Sequence, residues 1–96
     1  MGQVLRTAEA RADLLEIWVY IAEDNIVAAD RVLSAIDLKC KELTESPNLG
    51  RVRSDLALSL RSVVEGNYVI FYRIKDNDIQ IVRVLHGSRD LRRIFN

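Results

Sequence analysis

The chain has 96 residues, 49% of them hydrophobic, with 14 basic and 14 acidic side chains and a single cysteine. This length fits one domain with a small core, and one cysteine excludes both an intramolecular disulfide and a cysteine-rich metal site. No apolar run approaches the roughly 20 residues of a membrane span, and the N-terminus lacks the pattern of a signal peptide. We therefore expect one cytoplasmic domain over residues 1–96, since a reducing compartment suits a lone thiol.

The net charge is zero, but the basic and acidic side chains are unevenly distributed along the chain. Residues 1–48 hold 5 basic and 9 acidic side chains, for a net charge of −4, whereas residues 49–96 hold 9 and 5, for a net charge of +4. Two interpretations of the basic half are open. Its arginines either face an acidic partner or a phosphate backbone, or they pair with the acidic first half inside the fold.

The first quarter of the chain predicts a short strand and a helix. Residues 3–6 indicate an edge strand, and Thr7 indicates an N-cap, because its hydroxyl can accept a hydrogen bond from the first helical turn. The helix is predicted to end near Asp24, and Asp13 is expected to fall off its apolar stripe. That stripe, at helical spacing, consists of Ala10, Leu14, Ile17, Trp18 and Ile21.

A second helix is predicted from an N-cap at Asn25 to about Ser46. Because the break between the two helices is short, we expect an antiparallel hairpin with facing apolar stripes. Residues 47–50 predict a stop and a turn. The stripe of the second helix consists of Ala29, Val32, Leu33, Ile36, Cys40 and Leu43.

After Gly50 the apolar period changes from about 3.6 to 2, which indicates strands. Short turns join the predicted strands into a three-stranded antiparallel meander, and one face of this sheet must pack on the hairpin. The predicted fold is therefore α+β: an N-terminal strand, a two-helix hairpin and a meander in a small single domain. The tail is expected to fold back as a helical turn through Leu91, Ile94 and Phe95. The three strands are predicted over residues 58–64, 68–75 and 79–85.

Few residues suit catalysis. The chain lacks a glycine-rich phosphate loop and has one histidine, so neither a cofactor nor a metal ion is expected. Cys40 lies on an apolar helix stripe, where a buried, inert thiol is the better interpretation. His86 closes the last strand and could act as a general acid or base only if a substrate reached it. No partner nucleophile is evident.

Four arginines lie on or beside the predicted strands: Arg61, Arg73, Arg83 and Arg89. The guanidinium group suits bidentate contact with a carboxylate or a phosphate. These side chains either hold RNA, DNA or an acidic peptide, or form a solvated sheet face with ion pairs. Likewise, the stripe around Trp18 is either core or a surface that a partner helix completes.

Six parts of the chain carry a common pattern: residues 12–17, 20–22, 25 with 28–29, 47–51, 68–73 and 83–91. Together they resemble the ParE toxins of the RelE/ParE superfamily. Their order and spacing span nearly the whole chain. The resemblance implies the fold described above, a heteromeric complex with a ParD-like antitoxin, and DNA gyrase as the target. No direct nucleic-acid specificity is expected. RelE-like relatives instead cut messenger RNA on the ribosome.

The resemblance also allows the two branches to be compared position by position. RelE-like nucleases carry basic groups on two strands, then a late Arg and a late Tyr. Of these positions only the Arg is kept here, as Arg89, and the late Tyr is replaced by Phe95, which has no hydroxyl. The comparison argues against ribonuclease activity, unless Arg61 and His86 substitute. The remaining positions are Ala57, Ser59 and Val69.

The sequence thus predicts a non-catalytic ParE-like toxin that binds gyrase, although its neutral charge departs from the commonly basic toxins. A RelE-like mRNA endonuclease and a non-toxic binding module are the alternatives. Leu14, Ile17, Trp18 and Ile21 are predicted to pack the hairpin and in part to receive the antitoxin. The side chains predicted to contact the target or the antitoxin are Arg61, Arg73, Arg83, His86 and Arg89.

Overall fold

A computed structural model of the chain describes residues 2–95. Two long helices precede most of a mixed sheet, and a short third helix closes the described residues. None of these helices combines the length and the apolar character needed to cross a membrane. In chain order the elements are β1 (Val4–Arg6), α1 (Ala8–Ala22), α2 (Ile26–Glu45), β2 (Arg51–Val52), β3 (Arg61–Glu65), β4 (Tyr68–Lys75), β5 (Asp78–His86) and α3 (Leu91–Phe95).

The α+β fold and the element order are confirmed, but the sheet is larger than a meander. Its strand order is β1-β5-β4-β3-β2. The β3-β4-β5 meander is antiparallel, and β1 joins its β5 edge in parallel, with Val4 opposite Ile79. At the other edge β2 pairs with β3. The strand β2 was not predicted, because two residues are too short to show a period.

The strand predicted over residues 58–64 starts too early. Ser59 has a φ angle of 59°, and the Leu60 N–H donates to the carbonyl of Ala57 at 3.3 Å. A left-handed residue inside a turn cannot continue a pleated strand, so β3 begins only at Arg61.

Both predicted helix caps are present. The Thr7 hydroxyl accepts the N–H of Ala10 at 3.0 Å, and the Asn25 side chain accepts the N–H of Ala28 at 3.0 Å. Each cap satisfies an N–H that the first helical turn cannot pair. Since only residues 23–25 separate α1 from α2, the helices form the predicted hairpin.

The two faces of the sheet bury separate apolar clusters. Successive residues of β4 point to opposite faces: Ile70 and Tyr72 join the cluster under the helices, whereas Phe71 joins a second cluster. The predicted helical turn of the tail is confirmed as α3, which covers this second face. Its side chains Leu91, Ile94 and Phe95 pack against Leu60, Phe71 and Leu85.

A buried tyrosine fixes the connection between α2 and the sheet. The Tyr72 hydroxyl donates to the Pro47 carbonyl at 2.6 Å and accepts the Gly50 N–H at 2.8 Å. Arg61 donates to the Gly50 carbonyl at 2.8 Å. A Cβ atom at Gly50 would lie 2.6 Å from the Tyr72 ring, so this close approach requires glycine.

Cys40 is buried in the cluster under the helices, as predicted. Burial raises the pKa of its thiol from the ordinary value of 9.0 to about 11, with smaller opposing effects of Arg6 and Asp37. The thiol is therefore protonated at neutral pH, which disfavours a nucleophilic role.

The raised pKa of Cys40 predicts a loss of stability at high pH. Between pH 9 and 11 the unfolded chain releases the thiol proton while the folded chain keeps it. The thiol's contribution is therefore complete below pH 9 and is lost as the pH rises through this window. We expect the wild type to lose about 2–3 kcal/mol relative to Cys40→Ala. Urea unfolding of both proteins across the window measures this difference, and a constant difference would contradict the expectation.

Candidate functional site

A cleft opens between α1 and the end of β5, and we call it the α1–β5 cleft. Its volume is about 420 Å³. Apolar and aromatic side chains form most of its lining, and charged and polar groups complete it, which is the usual composition of a binding site. The lining residues used below are Glu16, Ile17, Tyr20, Tyr68, His86 and Arg89.

The cleft lies where β5 continues past β1. The strand β1 pairs with β5 only at Ile79–Ile81, so the rest of β5, to His86, extends beyond this pairing. There the helix α1 supplies the neighbouring group: the Asp13 carboxylate accepts the Val84 N–H at 3.0 Å. A side chain thus takes the place of a strand carbonyl at the edge of the sheet.

The same carboxylate holds Arg83. Its two oxygens accept from the Arg83 Nε at 2.7 Å and Nη2 at 2.9 Å, a bidentate ion pair of the strong type. The hydrogen bond to Asp13 raises the pKa of Arg83. The Arg83 guanidinium is thus engaged inside the fold, because Asp13 faces it from α1. Its contact with a target or an antitoxin stays a prediction.

His86 and the turn after it form one end of the cleft. The His86 Nδ1 lies 2.8 Å from the Ser88 hydroxyl and accepts the Ser88 N–H at 3.1 Å. The Tyr68 ring meets the imidazole edge to face, with centroids 5.5 Å apart. An Nδ1 that accepts an N–H places the proton of the neutral ring on Nε2. These contacts hold the imidazole in one orientation at the cleft.

The predicted polar residues do not form one cluster. His86 and Arg89 both line the α1–β5 cleft. Arg61 donates to the Gly50 carbonyl, and Arg73 donates to the Leu58 carbonyl at 3.1 Å, so both stabilise the connection around β2. Their role in binding a target stays a prediction, and the structure places them away from the cleft lining.

The predicted docking stripe of α1 is mostly covered by the protein itself. Leu14, Ile17 and Ile21 pack against the cluster under the helices, as predicted for the hairpin. Trp18 is half-buried and donates from its indole N–H to Asp30 at 2.9 Å. Of these side chains only Ile17 lines the α1–β5 cleft, and docking by an antitoxin there stays a prediction.

A different apolar surface of the hairpin is exposed. We call it the outer hairpin surface, and its members lie on the side of α1 away from the sheet and at the start of α2. Leu15 is 65% exposed and Val19, one helical turn later, is 46% exposed. The other members of the outer hairpin surface are Ile26 and Val27.

Asp13 is the site residue that the sequence analysis missed. It was placed off the apolar stripe because it is charged, yet its exposed fraction is only 8%. The helical spacing held the information: Asp13 follows Ala10 by three residues and precedes Ile17 by four, and both neighbours are buried. Residues at these spacings share one helix face, so an acidic residue there needs a buried cationic partner.

No group of three or more metal-binding side chains of the His, Cys, Asp and Glu types occurs within residues 2–95.

A family model described as the ParE toxin of the type II toxin-antitoxin system, parDE, matches residues 4–91. The chain belongs to the ParE toxin family. It is a type II toxin–antitoxin toxin of the ParE/RelE superfamily. Toxin ParE3 of Caulobacter vibrioides is 34% identical over 92 residues, which cover 95% of this chain and 92% of that protein. Toxin RelE2 of the same organism is 36% identical over 89 residues, covering 93% and 99%.

Solved structures of toxin–antitoxin systems share the fold of this ParE-family chain. The chromosomal ParDE system of P. aeruginosa matches with a TM-score of 0.73 at 25% identity, over 90% of this chain and 96% of that chain. The RelBE2 complex of Mycobacterium tuberculosis matches with a TM-score of 0.68 at 29% identity, over 88% and 96%. The relatives include toxins named ParE and toxins named RelE. The overall similarity therefore does not distinguish a ParE-like target from a RelE-like target, and individual residues must be compared.

Three of the positions that the resemblance assigns to nuclease groups have apolar packing in this ParE-family chain, whereas a fourth, Ser59, is exposed. Val69 and Phe95 belong to the second apolar cluster, with Ala57 packed beside them. The Phe95 ring lies 4.8 Å from the Phe71 ring, centroid to centroid. Arg89, by contrast, is exposed.

Proposed function

We propose that this toxin inhibits DNA gyrase by binding to it, without catalysis of its own, and that a ParD-like antitoxin neutralises it. The observation that carries the proposal is the second apolar cluster, which includes Ala57, Val69 and Phe95, three of the positions that the resemblance assigns to nuclease groups. Phosphodiester cleavage needs side chains that move a proton and groups that neutralise phosphate charge. Phe95 and Val69 offer neither function, and both are anchored in the cluster.

The polar groups that remain suit binding better than proton transfer. Arg89 is exposed and lines the α1–β5 cleft, where its guanidinium can contact a carboxylate or a phosphate. His86 adjoins it but is held by Ser88 and Tyr68. Arg61, the other group that could replace the missing nuclease residues, donates to the Gly50 carbonyl. These contacts favour a fixed recognition surface over a proton-transfer site.

Two surfaces support an antitoxin partner. The related ParDE and RelBE2 structures are both toxin–antitoxin systems. On this chain the outer hairpin surface exposes Leu15 and Val19 four residues apart, which suits the apolar face of a partner helix. The adjacent cleft, lined by Tyr20 and Arg89, suits an apolar side chain followed by an acidic one.

The proposal predicts inhibition of purified gyrase. We expect this protein to block DNA supercoiling by gyrase or to trap cleaved DNA. The ParD-like antitoxin, expected to be encoded beside its gene, should relieve the effect. Arg89→Ala should weaken inhibition roughly tenfold, equivalent to about 1.4 kcal/mol of binding free energy, because it removes an exposed cation at the cleft. Supercoiling and cleavage gels across a toxin titration measure this effect.

Arg31→Ala is the matched control, since it removes an equal charge from an exposed position on α2. It should inhibit gyrase as the wild type does. Absence of any gyrase effect, together with cuts in ribosome-bound messenger RNA, would replace the proposal with the RelE-like alternative. Unchanged gyrase activity together with intact transcripts would support the third alternative, a non-toxic binding module.

A further inference from the structure

The end of the chain carries three arginines within five residues: Arg89, Arg92 and Arg93. All three are exposed. Within residues 2–95, none of these three side chains takes part in an ion pair or a side-chain hydrogen bond. We call the surface formed by these three side chains the α3 surface. Its cations are available to an outside partner.

The fold fixes the direction in which these cations point. On one side of α3, Leu91, Ile94 and Phe95 insert into the second apolar cluster. Residues three and four apart share a helix face, so Arg92 and Arg93 must project from the other side. The arginines are therefore presented by an anchored element, which reduces the entropy lost when they bind.

The α3 surface adjoins the loop that precedes β3, because Leu56 of that loop packs in the same apolar cluster as Leu91. There Arg53 pairs with Asp55 at 3.1 Å. The pKa of Asp55 is lowered chiefly by its hydrogen bond to Arg53 and also by the charge of Arg92. Arg92 thus lies within electrostatic reach of this pair.

The positive charge on this side of the sheet has a counterpart on the other side. The helices and β1, within residues 1–48, carry the net charge of −4, and residues 49–96 carry the net charge of +4. Because α3 covers the sheet face opposite the helices, its arginines lie across the sheet from the acidic helical part. Such a separation orients a protein toward an extended anion.

We propose that the α3 surface binds the phosphate backbone of a nucleic acid without reading its sequence. This inference goes beyond gyrase inhibition and stands without it. A phosphate backbone fits better than an acidic protein, because protein interfaces have an apolar centre and residues 86–95 expose no large apolar side chain. Closely spaced guanidinium groups match successive phosphates. Duplex DNA and structured RNA share this chemistry.

The test measures fluorescence anisotropy of labelled duplex DNA, duplex RNA and polyglutamate, at salt concentrations from about 50 to 200 mM. Arg92→Ala with Arg93→Ala should weaken binding of the nucleic acid on the order of tenfold and lower the salt slope by about 2. Arg31→Ala with Lys41→Ala removes the same charge from exposed positions of α2 and should change neither quantity. Circular dichroism checks that both variants fold.

The outcomes separate this inference from the proposed function. A backbone site binds DNA or RNA, and a preference between them identifies the natural source of the phosphates. Equal losses in the two double variants, binding of polyglutamate alone, or no binding to either nucleic acid at the lowest salt would each overturn it. Gyrase inhibition is measured separately on the same variants, so inhibition without phosphate binding would reject this inference alone.

Discussion

Replacing Asp13 with alanine should lower the free energy of unfolding by about 3 kcal/mol. The substitution leaves the Arg83 guanidinium and the Val84 N–H without their acceptor, and the Asp13 side chain is only 10% exposed. The Arg83 side chain is 24% exposed, so water recovers part of its solvation and limits the loss. A chain of this length has only about 5–15 kcal/mol of stability. Thermal unfolding should therefore shift downward by roughly 15 °C.

Asp37→Ala is the control for this prediction. Asp37 also pairs with two cations, Arg6 and Lys41, but its side chain is 45% exposed, and an exposed pair contributes less than about 1 kcal/mol. A double-mutant cycle of Asp13→Ala with Arg83→Ala then isolates the coupling between the two side chains. Equal effects of Asp13→Ala and Asp37→Ala would show that the buried ion pair does not stabilise the cleft wall.

Replacing Tyr72 with phenylalanine should cost about 2–3 kcal/mol of stability. The ring stays, but the Pro47 carbonyl and the Gly50 N–H both lose their hydrogen-bond partner. Tyr72 is fully buried, so water does not readily replace the hydroxyl. Urea unfolding measures the loss. In the variant, the Gly50 amide should exchange its hydrogen faster than the amides of β4.

Tyr68→Phe provides a matched comparison on the same strand. Tyr68 is half-buried. Within residues 2–95, its hydroxyl takes part in none of the side-chain hydrogen bonds. The same chemical change there should alter stability by less than about 0.5 kcal/mol. If both variants unfold at the same urea concentration, the link from Tyr72 to the α2–β2 connection contributes nothing measurable.

The long elements could be predicted because their patterns are local. The caps at Thr7 and Asn25 and the helical apolar period define α1 and α2, and alternation with short turns defines the meander. The added edge strands depend on distant pairing. Val4 meets Ile79 across 75 residues, and the two residues of β2 exist as a strand only through β3. Local periodicity carries no information on such partners.

The candidate site was predictable only in part, for a related reason. Exposed end groups such as His86 and Arg89 follow from their place after the last strand, and both line the α1–β5 cleft. The ion pair of Asp13 and Arg83 joins residues 70 positions apart, and a charge pattern does not reveal which opposite charges meet. The stripe of α1 was correctly assigned to packing, but its exposed neighbours Leu15 and Val19 were overlooked, because apolar residues on the outer side of a helix break the expected pattern.

The pairing of β1 with β5 has a consequence for synthesis of the protein. The first strand finds its neighbour only in residues 79–81, and α1 is held by Arg83 and Val84. A sheet built on such non-local contacts has high contact order and forms late. A nascent chain that has not yet released β5 therefore lacks both the cleft and the α3 surface. The surfaces proposed to bind partners therefore form only after residues 79–95 have left the ribosome.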